Sequence, residues 1–137
     1  MFKLGKTTVA ILAVFELALS GCQTTGVPIN ASFTAVSGTP LLIFHYSALN
    51  PDCSPRGEIV VRVTGEPAHG QVRTVPASGY SSYVQPNPRN ACNDRKTPGI
   101  DVIYTAQAGY AGPDVFNVDA IFPGGGESEA TDHITVK

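Results

Sequence analysis

The chain has 137 residues and a net charge of −2, a length that suits one small domain and a charge with no strong basic field. Nucleic acid is therefore not an expected partner. The 14 glycines and 11 prolines are spread over many short breaks between runs of valine, isoleucine, threonine and tyrosine. This composition favours a β-rich fold.

The N-terminal segment has the layout of a secretory signal. Two lysines precede an apolar run at residues 9–19, and the small residues Ser20 and Gly21 follow. The run is shorter than the roughly 20 residues of a membrane span, and it contains Glu16, which would be costly inside a bilayer. The alternatives are a plain signal peptide cleaved near Cys22 and an N-terminal anchor helix.

Residues 19–22, Leu-Ser-Gly-Cys, resemble the lipobox of bacterial lipoproteins. The resemblance implies that residues 1–21 are a helical signal peptide and that residues 22–28 are a lipidated tether. Cys22 would carry a diacylglyceryl thioether and usually a further acyl chain such as palmitate. Two or more chains anchor stably, because each buried CH₂ contributes about 0.8 kcal/mol. Gln23, where an aspartate would retain the protein at the inner membrane, favours the outer membrane.

Cys53 and Cys92 are the cysteines that remain once Cys22 is lipidated. In an oxidising envelope compartment we expect them to form a disulfide. A loop of about 40 residues would then be closed, for which the chain-entropy model gives about 4 kcal/mol. A reactive thiol or a metal-binding pair is the alternative, although no histidine stands close to either cysteine in the sequence.

From residue 29 onward the chain predicts about eight short strands, with frequent turns and no helical periodicity. The predicted strands cover residues 29–36, 41–46, 58–64, 70–75, 80–84, 100–105, 114–122 and 130–136. The strand at 41–46 is the most apolar and is interpreted as a central strand covered on both faces. A turn is expected at Ser78-Gly79, and a glycine hairpin is expected at residues 124–126. The pattern predicts an all-β sandwich or small barrel.

The longest irregular stretch is predicted at residues 86–98, which are polar and rich in proline. A long irregular loop in a small domain is often functional. We expect Cys92 to fix this loop to the loop around Cys53. The charged residues selected as candidate contacts are Arg89, Arg95 and Lys96. The alternative is a solvated loop without a partner.

The last third of the chain contains Val-Ile-Tyr-Thr at 102–105, Gly-Tyr-Ala-Gly-Pro-Asp-Val-Phe at 109–116, and Gly-Gly-Gly at 124–126. These motifs resemble the Ig-like and cadherin-like repeats of bacterial surface proteins, as does the Pro-Ala-His-Gly turn at 67–70. Residues 29–64 depart from the pattern. The resemblance implies an all-β, Ig-like antiparallel β-sandwich of about seven to eight strands over 29–137, preceded by the signal helix. The resemblance implies that the matched residues stabilise the fold and do not take part in catalysis. They are Tyr104, Gly109, Tyr110, Gly112, Asp114 and Phe116.

We expect no enzyme activity, no cofactor and no metal site. The sequence has no Gly-x-Ser-x-Gly elbow, no P-loop and no Cys-x-x-Cys. Its histidines are not spaced as metal ligands are, for example as His-x-x-x-His. His45 is interpreted as a core or edge histidine. The sequence has no calcium-binding loop motif. Four aspartates could still meet in space to bind calcium, namely Asp94, Asp114, Asp119 and Asp132. A catalytic triad assembled from distant residues is the remaining alternative.

The sequence thus predicts a non-catalytic lipoprotein of the bacterial envelope that presents its domain to an envelope or extracellular protein or glycan. On such folds, function usually lies in loops that rigid sheets hold. The alternative is an inhibitor of a protease or a lysozyme, which would insert the disulfide-braced loop into a cleft. Such a loop suits inhibition because preorganisation lowers the cost of ordering on binding.

Overall fold

A computed structural model describes residues 29–137 as two facing sheets of four and three strands. The strands are β1 (Ile29–Ala35), β2 (Pro40–Tyr46), β3 (Val60–Gly65), β4 (Gly70–Tyr80), β5 (Lys96–Ala106), β6 (Gly112–Ile121) and β7 (Glu127–Val136). The first sheet has the order β1-β7-β6-β3, and the second has the order β2-β5-β4. The predicted all-β sandwich of seven to eight strands is confirmed, with seven strands.

The predictions of a signal helix, of lipidation at Cys22 and of a tether at 22–28 lie outside the described residues. Within residues 29–137, no helix is long and apolar enough to cross a membrane.

Strand β1 departs from a fully antiparallel arrangement. It pairs in parallel with β7, from Ile29 opposite Ala130 to Ala35 opposite Val136, whereas the other strand pairs are antiparallel. In constant-type immunoglobulin domains the first strand lies in the sheet of strands 2, 5 and 4. Here it lies across from that sheet, so β1 and β2 form neighbouring edges of opposite sheets.

The core lies between the sheets and follows the two-residue period of the strands. On β6, Phe116, Val118 and Ala120 alternate along the strand and are each no more than 1% exposed. Tyr104 of β5 is fully buried, and its ring stacks on that of Phe116 with centroids 5.8 Å apart. Burying side chains of this size stabilises the fold by about 1.5–3 kcal/mol each.

The interpretation of residues 41–46 as a central strand covered on both faces is wrong. Strand β2 is an edge of the second sheet, and β5 is its centre. Leu42 and Phe44 are 53% and 41% exposed. The register with β5 shifts between these two residues, which places the buried Ile43 at a bulge. A continuous apolar run therefore marks an exposed edge here rather than a doubly covered strand.

The predicted turn at Ser78-Gly79 is also wrong, because β4 continues through it and pairs with β5 along its whole length. Packing, not a turn, requires a glycine at position 79 and another at position 99 of the neighbouring strand. A Cβ at Gly79 would lie 2.5 Å from His45 Nδ1, and a Cβ at Gly99 would collide with the carbonyl oxygen of Tyr46. The His45 ring thus lies over two glycines of neighbouring strands.

Candidate functional site

Two loops at one end of the sandwich are joined by a disulfide between Cys53 and Cys92, which confirms the predicted pairing. The two Cα atoms are 5.5 Å apart, within the usual range for a disulfide, and Cys92 is completely buried. We call residues 47–59 and 81–95 together the braced loop pair. Its position follows from topology, because these segments leave β2 and β4 at the same end of the second sheet.

Side-chain hydrogen bonds hold the braced loop pair together independently of the disulfide. The Tyr83 hydroxyl donates to the Ser47 carbonyl at 3.0 Å and accepts from the Leu49 N–H at 3.3 Å. The Asn93 side chain accepts from the Tyr83 N–H at 3.0 Å and donates to the Tyr83 carbonyl at 2.8 Å. Backbone groups that no sheet satisfies are therefore paired by Tyr83 across the two loops and by Asn93 within residues 81–95.

The two arginines selected from the sequence also bridge the loops. Arg89 Nε donates to the Leu49 carbonyl, and the Arg95 guanidinium donates to the Asp52 carbonyl at 3.2 Å. The Ser54 hydroxyl and N–H donate to the Asp52 carboxylate and hold its pKa below the ordinary value. Arg89 is half-buried, whereas Arg95 is exposed. Of the two, Arg95 is the more available to a partner.

The stretch at residues 86–98 is less irregular than predicted. A 3₁₀ helix spans Pro88–Asp94, and the Asn87 side chain caps it by accepting from the Arg89 N–H at 2.9 Å. Strand β5 begins at Lys96, so the third selected residue lies on the sheet rather than in the loop. Its ammonium is 5.9 Å from the centroid of the Tyr80 ring.

The motif residues lie at the opposite end of the sandwich, where β4 begins and β5 ends. The buried Asp114 carboxylate accepts from the Ala68 N–H at 3.0 Å and the His69 N–H at 3.1 Å. It also accepts from the Tyr104 hydroxyl at 2.8 Å. Burial and the hydrogen bond to Asp114 raise the pKa of Tyr104. The carboxylate thus ties the turn at 67–70 to β5 and β6.

An aromatic pair closes this end of the fold. The Tyr110 ring stacks on His69 at a centroid distance of 4.0 Å, and its hydroxyl donates to the Pro113 carbonyl at 2.6 Å. Gly112 has a φ of +142°, and a Cβ there would lie 2.9 Å from the Tyr110 hydroxyl. The contacts described for Tyr104, Tyr110, Gly112 and Asp114 are therefore with other residues of the domain.

The described residues include no group of three or more His, Cys, Asp or Glu side chains that could hold a metal ion. His45 is 6% exposed and lies on the edge strand β2. Its Nδ1 is 2.6 Å from Asp101 Oδ1, and its Nε2 is 3.1 Å from the Thr97 carbonyl oxygen. Both ring nitrogens are thus engaged within the second sheet.

A second candidate region, which the sequence analysis did not identify, is a cleft at the side of the sandwich. It has a volume of about 530 Å³ and opens between the sheets along the edge strands β1 and β2. Its lining includes Phe33, Phe44, Tyr46 and Phe122, together with the carboxyl of Asp132. The alternation of β7 was a usable signal, because Asp132 shares the inward face of that strand.

The structure thus offers a rigid polar surface at one end of the domain and an apolar cleft with a buried carboxyl at its side. Neither depends on the motif residues at the opposite end. Comparisons of the chain with protein-family models, with curated proteins and with solved structures found no match.

Proposed function

We propose that this protein is a non-catalytic envelope lipoprotein that presents an Ig-like domain to a protein or glycan of the envelope or the cell exterior. The braced loop pair is the observation that carries the proposal. It is connected by the disulfide Cys53–Cys92, by Tyr83 and by two arginines, so its shape is fixed before any partner arrives. Ordering a side chain at an interface costs about 0.5–1.5 kcal/mol, and a surface that is already ordered avoids much of that cost.

The exposed part of the braced loop pair supports a binding role. Val84 is 77% exposed, and Pro51, Pro86 and Pro88 are exposed around the same loops. Prolines lose little conformational entropy on binding because their φ angle is already fixed. The exposed Val84 and the exposed Arg95 lie on the same loop, so this loop offers both an apolar anchor and a charged contact.

Lipid attachment at Cys22 is the second part of the proposal. Residues 23–28 would be the spacer between the lipid and β1, so the domain would sit close to the bilayer. We expect metabolic labelling with a fatty acid to mark the wild-type protein and to leave Cys22→Ser unmarked at equal protein amounts. Equal labelling of the two proteins would remove the anchor from the proposal.

Contact through the loops can be tested by cross-linking in intact cells, followed by mass spectrometry of the captured neighbours. We expect the combined variant Arg89→Ala, Arg95→Ala and Lys96→Ala to lose, by about tenfold, a neighbour that the wild type captures. The matched control is Arg62→Ala with Arg73→Ala, which removes exposed cations from β3 and β4. A variant that keeps every neighbour would exclude these three side chains as contacts.

The same bracing favours a second candidate function, inhibition of a protease or a lysozyme. An inhibitory loop must enter a cleft without changing shape, and the disulfide and the Arg89 contact to Leu49 restrict the movement of both loops. Assays of the purified protein against a panel of both enzyme classes separate the two functions. Inhibition by the wild type that the triple loop variant lacks would support the inhibitor function. Full activity of every enzyme in the presence of the wild type would exclude inhibition for that panel.

A further inference from the structure

Three aromatic rings form walls of the cleft between β1 and β2. The centroids of Phe44 and Tyr46 are 4.7 Å apart, with the ring planes 60° from each other. The centroids of Tyr46 and Phe122 are 6.3 Å apart, with an angle of 57°. Rings tilted in this way form a partial cage instead of a stack. Aromatic faces carry the negative part of the ring quadrupole, which attracts cations.

A buried carboxyl lies in the same cleft. Asp132 is 5% exposed, and its side chain makes no hydrogen bond to any residue of 29–137. Burial raises its pKa, and the charge of the neighbouring His133 opposes that shift. Buried carboxyls are normally paired or hydrogen-bonded, because an unpaired buried charge is costly. The Asp132 carboxyl therefore lies in the cleft without a hydrogen-bond donor among residues 29–137.

The electrostatic environment of the cleft is negative. Burial and the carboxylates of Asp132 and Asp119 raise the pKa of Tyr46 to about 12. Among the described residues that line the cleft, His45 is the one basic side chain, and its Nδ1 faces Asp101. No cation on the lining therefore neutralises Asp132.

We propose that this cleft binds a small organic ammonium compound, with its charged head beside Asp132 and its alkyl groups against Phe44, Tyr46 and Phe122. A bare divalent cation is a poor fit, because calcium takes six to eight oxygen ligands and magnesium needs six. A neutral apolar molecule would leave the carboxyl unpaired. Alkylated ammonium groups interact well with aromatic cages, and about 530 Å³ is within the size range of small-molecule sites.

Calorimetry on the purified full-length protein tests the proposal, with hexyltrimethylammonium as the probe and hexan-1-ol as its neutral counterpart. We expect the cation to bind at least tenfold more tightly than the alcohol. Asp132→Asn should weaken binding of the cation by about tenfold, or about 1.4 kcal/mol, and should leave the alcohol unchanged. Asp94→Asn removes an exposed carboxyl from the 3₁₀ helix and should change neither value.

A second variant keeps the test decisive if Asp132→Asn does not fold. Phe44→Leu removes an aromatic face at a side chain that is 41% exposed, so the fold should tolerate it. We expect binding of the cation to weaken about threefold or more, with the alcohol little affected. Equal affinities of wild type for the cation and the alcohol would overturn the proposal, as would cation binding that is unchanged in a folded Asp132→Asn. Asp132 and the three aromatic rings lie outside the braced loop pair, so these results test the cleft separately from the loop contacts and from the lipid anchor.

Discussion

Replacement of both Cys53 and Cys92 by serine is expected to lower the free energy of unfolding by about 4 kcal/mol. The two cysteines are separated by 39 positions in the sequence. In the chain-entropy model, a crosslink over a loop of this length restricts the unfolded chain by about that amount. Small domains are usually stable by about 5–15 kcal/mol, so the loss would be a large fraction of the total.

Urea unfolding of the wild type and the double variant, each with and without a reductant, measures this effect. The reductant should destabilise the wild type to the level of the variant and should leave the variant unchanged. This second comparison is the control for nonspecific effects of the reductant. A loss below about 1 kcal/mol would mean that the hydrogen bonds of Tyr83, Arg89 and Arg95 already hold the loops together without the crosslink.

The strands that the sequence predicted well are those whose alternation has a local cause. On β6, the positions of Phe116, Val118 and Ala120 identify the inward face because adjacent residues of a strand point to opposite sides. The glycine hairpin at 124–126 is equally local, since Gly124 and Gly125 have positive φ angles that glycine readily adopts. No knowledge of distant residues is needed for either inference.

The errors arose where the cause lies far away in the sequence. Gly79 was interpreted as a turn residue, yet its small size is required by the ring of His45 on another strand. The exposure of Leu42 depends on β5 taking the centre of the sheet, which the apolar run cannot reveal. The parallel pairing of β1 with β7 is likewise set by the fold as a whole.

The candidate sites show the same division. Cysteine counting identified the disulfide, but the sequence could not reveal that Arg89 and Arg95 would turn toward carbonyl groups of the partner loop. In the sequence, nothing distinguishes Asp132 from the other aspartates. Its burial beside Tyr46 and Phe122 depends on the space between two sheets, which no local pattern specifies.

Replacement of Asp114 by asparagine is expected to destabilise the fold by about 3–5 kcal/mol. One carboxylate oxygen accepts from the N–H groups of Ala68 and Val115, and the other accepts from the His69 N–H and the Tyr104 hydroxyl. An asparagine has one acceptor oxygen, so its NH₂ group would face donors in place of the second. Buried donors left without acceptors carry their full desolvation cost.

The variant Tyr104→Phe is the graded comparison for this prediction. It removes one of the four donors and keeps the ring that stacks on Phe116, so a loss of about 1 kcal/mol is expected. Denaturant unfolding of the two single variants and the double variant gives the coupling energy between Asp114 and Tyr104. Asp94→Asn, at an exposed carboxyl, serves as the control and should change stability by less than about 0.5 kcal/mol.

If Asp114→Asn costs no more stability than this control, the turn at 67–70 is held by other contacts. These include the stacking of Tyr110 on His69 and the hydrogen bond from the Gln107 N–H to the His69 carbonyl at 2.8 Å. If the stability losses of Asp114→Asn and Tyr104→Phe are large and additive, the effect of Asp114→Asn comes from its hydrogen bonds with the backbone N–H groups. A large loss with strong coupling would place it in the network shared with the hydroxyl. Each result assigns a different physical basis to the same motif, because the aspartate on β6 accepts hydrogen bonds from both the turn and β5.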